Sequence, residues 1–254
     1  MRPLARLLTV LALLAICPAS PAMADFKKGM AAYEAGDYAT ALKEWRPLAE
    51  QGNTDAQYGL GLIYDSGKGV PQDNAEAARW YRKAADLGLA SAQSNLGVLY
   101  ANGQGVKQDF KEAARWYRRA AEQEYAIAQF NLGVLYEKGH GLKQNYTEAV
   151  HWYRRAAEKG ETDAQLNLGL LYAKGQGIPQ SYAKAVRYYR MAAEQGDADA
   201  QNSLGLLYAK GQGAPQDLVQ AHLWLSLAAA QGDKSAAKER DLLVKKMTPV
   251  QLTQ

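Results

Sequence analysis

The chain has one cysteine, Cys17, and only three histidines in 254 residues. A single thiol cannot close an intrachain disulfide, and His140, His151 and His222 fall at no metal-ligand spacing. Disulfide-stapled and zinc-stapled folds are excluded, and with them a cysteine nucleophile in any chain that has lost Cys17. Long apolar runs are scarce as well. The stretch Leu7 to Ile16 is too short to serve as a permanent membrane span. Charge of one sign is not in excess: 30 basic against 26 acidic residues leave little to track a phosphate backbone, so nucleic acid is not an expected partner. Serines occur without a GxSxG elbow. Phenylalanine is rare at three, and aromatic bulk comes instead from 16 tyrosines and five tryptophans.

Those aromatics are periodic. Sliding the chain by 36 residues aligns Trp80, Trp116, Trp152 and Trp224, and also Leu96-Gly97, Leu132-Gly133, Leu168-Gly169 and Leu204-Gly205. A fixed period of this size marks a solenoid, in which each unit buries its apolar face only by stacking on its neighbours. Its stability must come from packing alone.

The first 24 residues read differently. Arg2 and Arg6 precede the apolar run, and Ala22-Met23-Ala24 leads into Asp25, the pattern of a secretory signal peptide cleaved after Ala24. The competing lipoprotein signal would acylate Cys17, yet Ile16 stands where a small residue is wanted. Cleavage removes two arginines and no acids, taking the net charge from +4 to +2. The expected destination is the periplasm or the medium, with no transmembrane anchor in the mature chain.

From 25 to 52, Phe26, Met30 and Tyr33, then Tyr38, Ala41, Leu42, Trp45, Leu48 and Ala49, fit two amphipathic helices broken at Gly36-Asp37. Five longer hairpins follow at 53–88, 89–124, 125–160, 161–196 and 197–232. Each pairs a first helix carrying AQxxLGxxY with a second carrying AxxWYxxAA or a near variant, joined by a GxG turn. The glycine after each leucine implies a crowded crossing, since a helix-interior glycine otherwise costs about 1 kcal/mol against alanine. Asp73, Asp109, Asn145, Ser181 and Asp217 stand as N-caps of the second helices. A glycine closes every hairpin except the one ending at Glu124, where a left-handed non-glycine residue or a rearranged turn is expected. In the segment 233–254 the pattern lapses, and Ala236, Leu243 and Met247 leave a single apolar stripe suited to a capping helix.

The combination of AxxxLGxxY, GxGV and AxxWYxxAA at this period resembles the Sel-1-like repeats, relatives of the tetratricopeptide repeat. The resemblance covers 53–232 strongly and the flanks more loosely. It implies an all-α fold, a right-handed superhelix of stacked hairpins, used as a non-catalytic adaptor with no cofactor or metal. It also implies that the first helices line a concave groove. Bacterial exported relatives are linked to envelope complexes, polysaccharide export or host contact, so a secreted factor acting on a host protein is one alternative. A cysteine-rich branch associated with β-lactam binding suggests another, an envelope enzyme or binder of β-lactam or peptidoglycan fragments. This chain lacks that branch's cysteines.

Mapped onto such a groove, one column is Tyr58, Ser94, Phe130, Leu166 and Asn202, and the next holds Leu62, Val98, Val134, Leu170 and Leu206. A packing surface must repeat, whereas a ligand surface is free to vary, and the first column varies. Tyr58, Ser94, Val98, Phe130, Val134, Leu166, Leu170 and Asn202 are therefore the candidate contacts to a protein or peptide, with Phe130 the leading apolar anchor. Asn95, Asn131 and Asn167 are assigned a structural role. The basic ladder Arg82, Arg118, Arg154 and Arg190 is expected to pair with Asp86, Glu122, Glu158 and Glu194 four residues on. The pattern sets no oligomeric state and names no partner.

Overall fold

A computed structural model describes residues 21–252. Nearly all of the expected signal peptide, Cys17 included, lies outside the described residues. The helices are α1 (Pro21–Glu34), α2 (Tyr38–Glu50), α3 (Thr54–Ser66), α4 (Asn74–Asp86), α5 (Ala90–Asn102), α6 (Phe110–Glu122) and α7 (Ala126–Lys138). They continue as α8 (Tyr146–Glu158), α9 (Thr162–Lys174), α10 (Tyr182–Glu194), α11 (Ala198–Lys210), α12 (Leu218–Ala230), α13 (Lys234–Val244) and α14 (Pro249–Leu252). There is no strand among the described residues. Each helix packs chiefly on those before and after it in the chain, forming consecutive stacked hairpins, so the core is a seam rather than a centre.

Local chemistry sets the boundaries. Asp73, Asp109, Asn145, Ser181 and Asp217 cap α4, α6, α8, α10 and α12, each side chain accepting from backbone N–H groups of the first turn. In the GxG turn, Gly105 has φ +66° and its missing Cβ would stand 2.1 Å from the Asn74 carbonyl carbon, so two hairpins touch there through bare backbone. Glu124 has φ 63°, the one non-glycine left-handed residue among those described.

Packing explains the repeat glycines. A Cβ at Gly97 would lie 2.7 Å from the Tyr117 ring, and Gly61, Gly133 and Gly169 face Tyr81, Tyr153 and Tyr189 in the same way. The tryptophans close the seams: Trp80, Trp116 and Trp152 are buried, with Trp116 packed into a cluster of Ala78 and Ala85 from the preceding hairpin and Leu96 and Leu99 from its own. Lys83, Arg119 and Arg155 lie over the rings of Trp80, Trp116 and Trp152. After α12, Ala236, Leu243 and Met247 of the 233–254 segment are buried against the last hairpin.

Two side-chain ladders stitch the hairpins together. Gln57, Gln93, Gln129, Gln165 and Gln201 are buried, and each donates Nε2 to the carbonyl eight residues back, at Ala49, Ala85, Ala121, Ala157 and Ala193. Each thereby satisfies a carbonyl near the end of the preceding helix that has lost its intrahelical partner. Gln123, Gln195 and Gln231 then donate to the Oε1 atoms of Gln93, Gln165 and Gln201 at 2.8–2.9 Å. The equivalent positions carry Leu87 and Lys159, and there the Oε1 atoms of Gln57 and Gln129 are sealed without a donor.

The arginine ladder departs from expectation. Arg82, Arg118, Arg154 and Arg190 donate to the hydroxyls of Tyr100, Tyr136, Tyr172 and Tyr208 in the next hairpin, not to the acids four residues on. None of those four i, i+4 ion pairs forms among the described residues. A phenol held 18 residues ahead by stacking offers a fixed acceptor, whereas an exposed i, i+4 pair must order two long side chains for a few tenths of a kcal/mol.

Candidate functional site

The shared face of the first helices α3, α5, α7, α9 and α11 holds the candidate residues. Where one helix carries two of them they stand four residues apart, which puts them on one stripe. Tyr58 and Phe130 are half-buried, each resting at a tilt on a tyrosine of its own hairpin: Tyr58 on Tyr81 at 5.8 Å and Phe130 on Tyr153 at 5.7 Å between ring centroids. Leu166 is half-buried beside them in register, as are Val98, Val134 and Leu170 of the neighbouring column. Ile127, one turn before Phe130, is 47% exposed.

Two of the candidates are placed otherwise. Ser94 is 1% exposed and its Oγ is sealed without a partner, because its one-carbon side chain ends below the level that larger members of the column reach. Asn202 donates to Asp233 Oδ2 at 3.0 Å, while its own Oδ1 is buried. It braces the first turn of α13 and is not a free groove group.

Beneath this face runs a second tyrosine column. The Tyr81 hydroxyl donates to Asp65 at 3.2 Å and that of Tyr153 to Glu137 at 2.6 Å. Asn95 lies within hydrogen-bonding reach of Tyr58 and Tyr81, and Asn167 of Tyr153, a structural use that Asn131 does not share beside Tyr117. Burial is the main cause that pushes the phenols of Tyr81, Tyr117 and Tyr153 well above their ordinary value, and that of Tyr189 up to about 12. All four stay protonated donors at neutral pH.

Besides a cavity of about 410 Å³ lined by Leu206, Leu225 and Leu242, two cavities open on the face. One of about 320 Å³ is lined by Phe26, Met30, Tyr33, Trp45, Tyr58 and Leu62. It joins the 58 and 62 columns to α1, whose apolar face was visible in the sequence but not assigned to the site. The other, of about 400 Å³, brings together Val98 and Val134. Ser94, Phe130 and Leu166 line neither. Among the described residues no group of three His, Cys, Asp or Glu side chains could hold a metal ion, and no helix is long and apolar enough to cross a membrane.

A family model described as Sel1 repeat matches residues 54–89, 90–125, 126–161, 162–197 and 198–233, one residue later than the register used above. A search of curated proteins found no match. Among solved structures, a protective antigen present in uropathogenic Escherichia coli strains, displaying an SLR fold, is similar at 38% identity and a TM-score of 0.85. That similarity covers 91% of this chain but only 51% of the antigen, so this chain spans about half the length of that relative. A Sel1 repeat protein from Oxalobacter formigenes is similar at 41% identity and a TM-score of 0.78, over 85% of this chain and 86% of its own.

Proposed function

The chain belongs to the Sel1 repeat family, and on that premise we propose that it is an exported adaptor binding a peptide or protein partner along a concave groove formed by the first helices. Sel1 repeat proteins are in general non-catalytic scaffolds for protein interaction. The observation that carries the groove assignment is the half-open row of Tyr58, Phe130 and Leu166. Large apolar groups stand in register there and differ from hairpin to hairpin, while Leu60, Leu96, Leu132, Leu168 and Leu204 next to them are fully buried and identical. Aromatic and aliphatic groups in a row are suited to anchoring an extended segment. Export is supported by the signal-like segment 1–24, with the periplasm the favoured destination. The adaptor contributes no catalysis of its own.

The test is in-cell photocrosslinking from a photoreactive residue at position 130, with one at Arg115 as comparison, since Arg115 is exposed on a second helix. A discrete protein adduct from position 130 and none from 115 supports the reading. Adducts from 115 alone would place the binding surface on the second helices.

A further inference from the structure

The tyrosines under the first-helix face are not all provided for. Tyr81 and Tyr153 donate to Asp65 and Glu137, carboxylates of their own hairpins. In the hairpin between them the corresponding acid is Ala101. Tyr117 is 3% exposed and its hydroxyl has no hydrogen-bond partner among the described residues. Its oxygen is not among the sealed polar atoms, and the residue lines the 400 Å³ cavity. Asn131 and Lys138 line the same cavity, and their side chains make no hydrogen bond or ion pair among the described residues. Val98, Phe110 and Val134 supply apolar wall, and no carboxylate lines it. The nearby Glu137 is committed to Tyr153.

We propose that this cavity receives an aspartate or glutamate side chain of the bound segment, which supplies from outside the carboxylate that Asp65 and Glu137 supply within their own hairpins. Tyr117, Asn131 and Lys138 as donors, with His140 also in the wall and no acid among the described lining residues, favour a carboxylate over an amide, because hydrogen bonds to an ionised acceptor are the stronger kind. The apolar wall accommodates the stem. A cavity of about 410 Å³ at equivalent positions near the cap provides an internal contrast: Leu225 replaces Tyr117 and Glu239 replaces Asn131, so it has neither the hydroxyl nor the need for an outside acid.

The inference rests on the groove reading, and its test separates the two. The probe is a library of acetylated, amidated heptapeptides in which each position in turn is fixed as Glu, Asp, Gln or Asn. Wild type should select an acid over its amide at one position by about 10-fold or more. Tyr117→Phe, which keeps the ring, and Ala101→Glu, which fills the site from within, should both abolish that preference while peptides continue to bind. Binding with no acid preference, or a preference that survives Tyr117→Phe, overturns this inference and leaves the groove. Absence of any peptide binding overturns both.

Discussion

Lys159 Nζ lies 2.8 Å from Glu124 Oε2, so two residues that break the repeat meet each other across adjacent hairpins. Glu124 stands where the other hairpins end in glycine, and Lys159 where three others place the glutamine of the buried ladder. Arg155 lies 3.8 Å from the same carboxylate. The ion pair is exposed and screened by salt, whereas a side chain held at positive φ is strained at any ionic strength. Glu124→Gly should therefore raise the melting temperature, and raise it more in 1 M NaCl than in dilute buffer. A variant melting at or below wild type in high salt would show that the turn tolerates the side chain without strain.

The same pair sets a pH dependence. The Lys159 ammonium holds the Glu124 carboxyl below its ordinary value of 4.5. A carboxyl with a depressed folded pKa stabilises above its unfolded value and loses that contribution as pH falls through the folded one. The stability difference between wild type and Glu124→Gln, measured by urea titration, should be present at pH 7 and diminish as pH falls below 4.5, the carboxyl's ordinary value. A difference that grows on acidification would contradict the assignment.

The glutamine ladder predicts a stabilising substitution. Leu87 is 59% exposed and stands where Gln123, Gln195 and Gln231 stand in other hairpins, leaving Gln57 Oε1 buried without a donor. Leu87→Gln should add about 0.5–1.5 kcal/mol, and Gln123→Ala, which orphans Gln93 Oε1, should cost about 1–3 kcal/mol. Chemical denaturation of both variants checks the pair of signs.

Core packing gives the largest expected effects. Trp116→Ala should cost about 3–5 kcal/mol. Gly97→Ala is a sharper test, because helix propensity alone would gain about 1 kcal/mol while forcing a Cβ against the Tyr117 ring costs about 1–3 kcal/mol. The close approach should win, and the variant should melt lower.

Much of this was legible in the sequence, and for a physical reason. A solenoid writes each packing rule several times over, so the Leu-Gly crossings, the caps from Asp73 to Asp217 and the left-handed Glu124 stand out as columns or as breaks in columns. What escaped were contacts between columns. The arginine ladder reads as i, i+4 pairs along one helix, and only stacking reveals tyrosine hydroxyls 18 residues ahead as the acceptors. The buried glutamines were visible in AQxxLG; a polar residue recurring without variation on an apolar face was the available signal. Ser94 and Asn202 were misplaced because column membership fixes direction along the helix but neither side-chain length nor the reach of α13.

The most direct measurement is the affinity of the partner captured at position 130 for a Phe130→Ala, Leu166→Ala double variant whose melting curve confirms that it remains folded. If the first-helix face is the binding surface, loss of two apolar anchors should weaken binding by about 100-fold or more. Affinity equal to wild type would contradict the account.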